Sequence, residues 1–220
     1  MARPAAPPRP RGTLVLLVRH GTTSTTGKVL PGRAKGLDLS DRGRGEAEAV
    51  AGRIAGLVDG TRVVDAVYAS PLERTRQTAA PIARAVGRRV RVERGLNECD
   101  FGEWTGRALA ELSKRPEWTT VQRNPSGFRF PGGESFAEMQ ARITGAIDRL
   151  RHAHAGGVVV AVSHADPIKA AVAQALGTPL DLFQRIVVSP CSVSAILYGE
   201  AGPTVLAVNS TDDLAGLRPS

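Results

Sequence analysis

The chain has 220 residues, 42% of them hydrophobic but only 4% aromatic, so one large domain with a core of Val, Leu, Ile and Ala is expected. Its formal charge is +8, yet the arginines are scattered, with no basic amphipathic helix and no aromatic-basic stacking pattern; this argues against nucleic acid and membrane surfaces and for a site that takes a small anion. Cys99 and Cys191 make neither a zinc motif nor a disulfide framework, and no stretch approaches a membrane span, so a cytoplasmic protein is expected.

Residues 1–12, rich in Pro and Arg, read as a disordered tail; the short apolar run behind them lacks a small-residue cleavage pattern and makes no signal peptide. A single domain is expected over 13–210, with a flexible tail at 211–220. Leu14 to Val18 is too short for a helix and reads as a buried strand, ending abruptly in Arg19-His20-Gly21. In open α/β sheets that carboxyl edge is where ligands bind. After a loop of Thr, Ser and Gly, Ser40 is the expected N-cap of a helix whose apolar positions Ala47, Val50, Ile54 and Leu57 recur at helical spacing. A strand over Val63 to Tyr68 follows. Ser70 then reads as an N-cap, Pro71 as the first helical residue and Glu73 as the partner in a capping box, which puts Arg74 in the first turn beside another strand end.

A short strand near Arg89 to Val92 leads into the segment Gly95 to Gly106. Residues 107–134, with Pro116, Pro125, Pro131 and the pair Gly132-Gly133, read as irregular, a candidate lid or specificity insertion. Ser135 and Glu138 read as a capping box for a helix to about Arg151. Val158 to Val162 is a second strongly apolar strand, ending in Ser163-His164, and Asp166-Pro167 reads as the N-cap and first residue of a helix to Leu176. Ile186 to Val188, Ser192 to Tyr198 and Val205 to Val208 read as closing strands. Strands and helices alternate throughout, so the expected fold class is α/β, a three-layer α/β/α sandwich with a mostly parallel central sheet.

Two strands far apart in sequence each end in a histidine, His20 and His164. If they are neighbours in a parallel sheet, both imidazoles meet over one crevice with helix N-termini around it. Arg19 and Arg74 would join them, and two arginines, two histidines and backbone N–H dipoles around one point describe a pocket for a phosphoryl group. His152 and His154, near a helix end without a nearby Cys or carboxylate, read as solvated groups or dipole partners rather than metal ligands.

Six motifs carry a family resemblance: Arg19-His20-Gly21, Leu39-Ser40…Gly43, Ser70-Pro71-Leu72-x-Arg74-Thr75-x-Gln77-Thr78-Ala79, Leu96-x-Glu98…Phe101-Gly102-x-Trp104, Gly132-Gly133-Glu134-Ser135 and Ser163-His164. In that order, over about residues 14 to 175, the chain resembles the histidine phosphatase superfamily, the phosphoglycerate-mutase-like enzymes. The resemblance implies that His20 is the nucleophile that forms a phosphohistidine, that Arg19, Arg74 and His164 hold the three equatorial phosphoryl oxygens, and that Glu98 protonates the leaving oxygen and then accepts a proton from water. Asp100 and Glu103 are rivals for that last role. Phosphoryl transfer is catalysed mainly by positioning and by cations around the equatorial oxygens. The arginines and a protonated His164 would supply that charge with no metal and no other cofactor.

The family pattern is not matched everywhere. Thr26 stands where many members carry Asn, as a shorter phosphate-binding donor, and the backbone at Gly32 is a candidate substrate contact. Asp166 follows the second histidine by two residues and is expected to cap its helix or to meet a substrate hydroxyl. Cys99 and Asp100 replace the basic residues with which true mutases bind phosphoglycerate, which argues for hydrolysis. Arg123 and Arg129 are candidate contacts to an acidic substrate. The expected function is a metal-independent phosphomonoesterase acting on a small phosphorylated metabolite. A phosphomutase and a non-catalytic anion-binding module are the alternatives, and a homodimer is left open.

Overall fold

A computed structural model describes residues 12–57 and 63–211. The expected tails at 1–12 and 211–220 fall almost wholly outside these residues. The centre is a six-stranded sheet of β1 (Thr13–Arg19), β2 (Val64–Ala69), β3 (Val90–Val92), β4 (Val158–Ser163), β5 (Val193–Gly199) and β6 (Gly202–Ser210), in the order β3-β2-β4-β1-β5-β6. The first four are mutually parallel; β5 and β6 extend the sheet antiparallel beyond β1.

The unbroken apolar runs of β1 and β4 have a simple cause. Both strands are central, so both faces of each are covered. Leu14, Leu16 and Val18 of β1 pack with Val160 and Val162 of β4 on one face; Val15 and Leu17 pack with Val159 and Ala161 on the other. The first face is covered by α1 (Asp41–Ala55) and α2 (Glu73–Ala85), through Ala47, Val50, Ile54 and Ile82. The second is covered by α5 (Phe136–Ala153) and α6 (Ala165–Leu176), through Ile143, Ile147, Ile168 and Val172. The three-layer sandwich with a mostly parallel sheet is therefore the observed fold. Among the described residues no helix is long and apolar enough to cross a membrane.

Two helix starts agree with the sequence reading. Ser40 caps α1 by accepting from the Gly43 N–H, and Ser135 and Glu138 form a reciprocal capping box on α5. Two others differ. Helix α2 starts at Glu73 with Leu72 in the cap position and no side-chain cap, so Ser70 and Glu73 form no capping box. Helix α6 starts at Ala165, so His164, not Asp166, occupies its cap position. Pro167 then sits in the first turn, where a missing N–H costs no intrahelical bond.

Residues 107–134 are not irregular. They hold α3 (Leu109–Leu112), α4 (Glu117–Arg123) and a 3-10 turn at Pro125–Gly127. The prolines that read as breakers stand at starts, Pro116 at the cap of α4 and Pro125 at the first position of the turn. Trp104, Trp118, Phe128, Phe130 and Phe136 stack together beneath this segment. Ile186 to Val188 is likewise no strand; Pro190 and the left-handed Cys191 (φ 53°) turn the chain there before β5 begins.

Candidate active site

Strands β1 and β4 run side by side with Arg19 opposite Ser163, so the next residue of each chain leaves the sheet at the same edge. The His20 N–H donates to the Ser163 carbonyl at 3.0 Å, and the His20 and His164 rings lie 5.2 Å apart between centroids. The loop after β1 presses against the start of α1. A Cβ on Gly21 would sit 2.5 Å from the Gly43 carbonyl oxygen, and one on Gly43 would sit 2.0 Å from that of Thr22. Neither position tolerates a side chain, which explains a glycine in each of the two motifs.

His20 is buried, and its Nδ1 lies 2.7 Å from the Gly21 carbonyl oxygen. A carbonyl can only accept, so Nδ1 carries the proton and Nε2 carries a lone pair. Burial, followed by the charges of Arg74 and Arg19, pushes the His20 pKa down to about 3. The ring is neutral at physiological pH, as a nucleophile must be.

Arg74 is fully buried, and its Nη2 donates to the Gly32 carbonyl at 2.7 Å. Its Nε and Nη1 have no acceptor among the described residues. Arg19 donates through Nη1 to the Val188 carbonyl at 2.7 Å, and its buried Nε also lacks an acceptor. Unspent guanidinium donors are costly to bury unless an anion meets them.

The charge state of His164 departs from the sequence expectation. Its Nε2 is 2.9 Å from the Ser70 hydroxyl, which is 2.7 Å from that of Thr75. Thr75 donates to the Leu72 carbonyl at 2.7 Å, so Ser70 donates to Thr75 and accepts from the His164 Nε2–H. The Nδ1 then holds a lone pair and has no hydrogen-bond partner among the described residues. Burial, followed by Arg74, holds the His164 pKa well below its usual value. The ring is neutral in the free protein, whereas the sequence reading expects a protonated ring around a transferring phosphoryl group. Ser70 serves this ring rather than a helix cap.

Glu98 lines the same cavity, 7% exposed, with Oε1 accepting from the Cys99 N–H at 2.9 Å and Oε2 3.9 Å from His164 Nδ1. Burial above all, and then the Asp166 carboxylate, pushes its pKa up to about 7. Its rivals do not line the cavity: Asp100 accepts from the Gly102 N–H and pairs with Arg33, and Glu103 is exposed. The backbone of Glu98 is clamped. Arg33 Nε and Arg142 Nη2 both donate to its carbonyl, at 2.9 and 3.1 Å, and Arg142 Nη1 donates to the carbonyls of Gly95 and Asn97. Both guanidiniums pair with Glu134 at 2.8 Å. The sequence reading gave Glu134, Arg33 and Arg142 no role, although Glu134 stands in one of the quoted motifs.

The cavity measures about 410 Å³. Thr26 lines it, but its hydroxyl is engaged with the N–H and hydroxyl of Thr23 at 2.9 and 3.0 Å. Three expected substrate contacts are not on its wall. The Gly32 carbonyl is taken by Arg74, Arg123 points into solvent at the end of α4, and Arg129 is bound by Glu138 and the Gly133 carbonyl. Asp166, expected to cap its helix or meet a substrate hydroxyl, lines the wall, and what the sequence reading missed are its partners there, Lys169 and Gln184, with Lys169 Nζ 3.2 Å from Asp166 and 3.0 Å from Gln184. The i, i+3 spacing of Asp166 and Lys169 on α6 was the available signal. Among the described residues no group of His, Cys, Asp and Glu is arranged to hold a metal ion.

A family model for the histidine phosphatase superfamily (branch 1) matches residues 15–211. Over 202 residues the chain is 33% identical to phosphoserine phosphatase 1 of Hydrogenobacter thermophilus, covering 90% of this chain and 92% of that protein. It is 33% identical over 159 residues to phosphoglycerate mutase-like protein 4 of Arabidopsis thaliana, covering 70% and 67%. A crystal structure of a phosphoserine phosphatase mutant from Entamoeba histolytica in complex with phosphoserine superposes with a TM-score of 0.80 at 25% identity, over 91% of this chain and 98% of that one.

Proposed function

Because the chain belongs to the histidine phosphatase superfamily, branch 1, we propose that it hydrolyses a small phosphomonoester through a phosphohistidine on His20, with Glu98 as acid and then base and without a metal ion. The reaction class, hydrolysis of a phosphoric monoester, follows from the family and from the named phosphatases among its relatives. One observation carries the mechanism. The His20 ring is neutral and tied by Nδ1 to the Gly21 carbonyl, which leaves Nε2 as the nucleophile in a cavity that Arg19 also lines, with unspent N–H donors on Arg19 and on the fully buried Arg74.

In the first step the Nε2 lone pair attacks phosphorus and the P–N bond forms. The ester P–O bond breaks, and the Glu98 carboxyl gives its proton to the departing alcohol oxygen. A carboxyl with a pKa near 7 keeps that proton below about pH 7 and can give it up and take it back near neutrality. In the second step water attacks phosphorus, Glu98 takes its proton, the P–N bond breaks, and phosphate and neutral His20 are released. The Arg19 and Arg74 donors meet the equatorial oxygens, where charge spreads in the transition state. His164, neutral with a lone pair on Nδ1, accepts the proton of a monoanionic phosphoryl group and so becomes the third positive contact.

Mutase chemistry would use the same phosphohistidine, and the likeness to a phosphoglycerate mutase-like protein keeps it as the second reading. Cys99 and the acidic Asp100 after Glu98 offer phosphoglycerate no cationic partner, and a mutase would need a bisphosphate activator. The test of the main reading is hydrolysis of p-nitrophenyl phosphate in excess chelator. Wild-type activity is expected to persist and that of His20→Ala to vanish; activity surviving in the variant sinks the mechanism.

A further inference from the structure

Beyond the phosphate end, the cavity wall is mostly apolar. Val29 and Leu30 come from the loop after β1, Leu109 and Trp118 from the helices of the 107–134 segment, and Ile186 and Val187 from the turn before β5. None of these six side chains is fully buried, and Val187 is 64% exposed. They are apolar groups at the mouth of a cavity, three of which, Leu30, Trp118 and Ile186, also pack with one side against the core. The charged side chains on the wall, apart from Arg19 and Glu98, are Asp166 and Lys169, each less than one-fifth exposed and paired with the other at 3.2 Å. Lys169 is further engaged by the Gln184 amide oxygen.

That pairing decides which leaving groups fit. A carboxylate on the substrate would have to draw Lys169 away from Asp166. The Asp166 carboxylate would then be left unpaired, half-buried, beside Glu98 and an incoming phosphate. Breaking a desolvated pair by removing one partner is costly. A hydroxyl or amide can instead donate to Asp166 or accept from the third Lys169 proton with the pair intact, while an aromatic or aliphatic body covers the apolar wall.

Resting on the phosphatase reading, we propose that the Asp166–Lys169–Gln184 strip is a leaving-group subsite for a neutral hydrogen-bonding group. The preferred substrates are then phosphomonoesters of uncharged, largely apolar alcohols that carry a distal hydroxyl or amide, not esters of carboxylate-bearing alcohols. Asp166 and Lys169 are specificity-determining residues, and Trp118 supplies the largest apolar contact.

The test compares four esters with poorly departing alcohols: 2-(4-hydroxyphenyl)ethyl phosphate, 2-phenylethyl phosphate, phosphoserine and 3-phosphoglycerate. For the wild-type enzyme, kcat/KM is expected to be highest for the hydroxyphenyl ester and at least about tenfold lower for both carboxylate-bearing esters, a span typical of one polar or apolar contact. Lys169→Met should narrow the preference for the hydroxylated over the plain phenylethyl ester, and Trp118→Ala should weaken both arylalkyl esters. Equal or better turnover of phosphoserine or 3-phosphoglycerate overturns the proposal. Calorimetric affinities of the same esters for His20→Ala separate the two levels of the argument. Loss of all turnover with the binding order preserved would strike the phosphatase reading alone. Turnover of p-nitrophenyl phosphate with the binding order reversed would strike the subsite alone.

Discussion

At the scale of single residues, Glu98 carries the step most sensitive to the alcohol being released. An alkoxide is a poor leaving group and needs a proton, whereas p-nitrophenolate departs without one. Glu98→Gln should therefore lower kcat/KM for an alkyl phosphate by about 10²–10⁴-fold and that for p-nitrophenyl phosphate far less. The pH dependence has the same origin. The Glu98 pKa is raised, so the protonated acid is present below about 7 and lost as pH rises through it. Turnover of alkyl phosphates should fall on that alkaline limb, and Glu98→Gln should abolish the limb; an unchanged limb in the variant would assign it to another group. Most of these residues were legible in the sequence because each stands at a local boundary: Arg19 and His20 where an apolar run stops, His164 where another does, Arg74 in the first turn of a helix. The protonation state of His164 was not legible. It depends on burial and on Arg74, and the choice of protonated nitrogen on the hydroxyls of Ser70 and Thr75, which only the neighbouring placement of β2 and β4 brings to that ring.

At the scale of elements, the loop bearing Glu98 is held by a clamp that joins three parts of the chain. Glu134, just before α5, pairs with Arg33 of the first loop and Arg142 of α5, and both guanidiniums grip the Glu98 carbonyl. Removing the carboxylate frees two cations from their partner and loosens the acid without touching the nucleophile. Glu134→Ala is expected to cost about 1–3 kcal/mol of stability and to depress turnover of alkyl phosphates more than that of p-nitrophenyl phosphate, with partial recovery in Glu134→Gln. A uniform loss on both esters would mean that the clamp serves folding alone. Composition hid this arrangement, because a loop with three prolines and a Gly pair looks structureless. Here two of the prolines, Pro116 and Pro125, open short helices, and the aromatic side chains packed with them fix the segment.

At the scale of the whole molecule, the site exists because β1 and β4 are neighbours at the centre of the sheet. Their continuous apolar runs marked them as central strands; the order β3-β2-β4-β1-β5-β6 was not readable, since pairing partners leave no local signature. The antiparallel extension by β5 and β6 was equally hidden, although Ser192 to Tyr198 and Val205 to Val208 were visible as apolar runs. Burying two neutral histidines at that edge links folding to acid. The folded pKa of His20 is about 3 against an ordinary 6.5, so the unfolded chain binds the extra proton between those values. Stability should therefore be fully present above about 6.5 and should decline as pH falls toward 3, with His164 adding in the same direction. Thermal melts from pH 7 to pH 4 are expected to give a shallower fall in Tm for His20→Asn than for wild type; parallel slopes would contradict buried, uncharged imidazoles.

The proposed mechanism requires a covalent bond between phosphorus and the Nε2 of His20. It is tested most directly by rapid alkaline quench during steady turnover of a radiolabelled phosphomonoester, followed by peptide mapping. The predicted result is acid-labile, alkali-stable label on the peptide containing His20, formed and discharged as fast as the enzyme turns over. A burst of alcohol release with no label on His20 would contradict it.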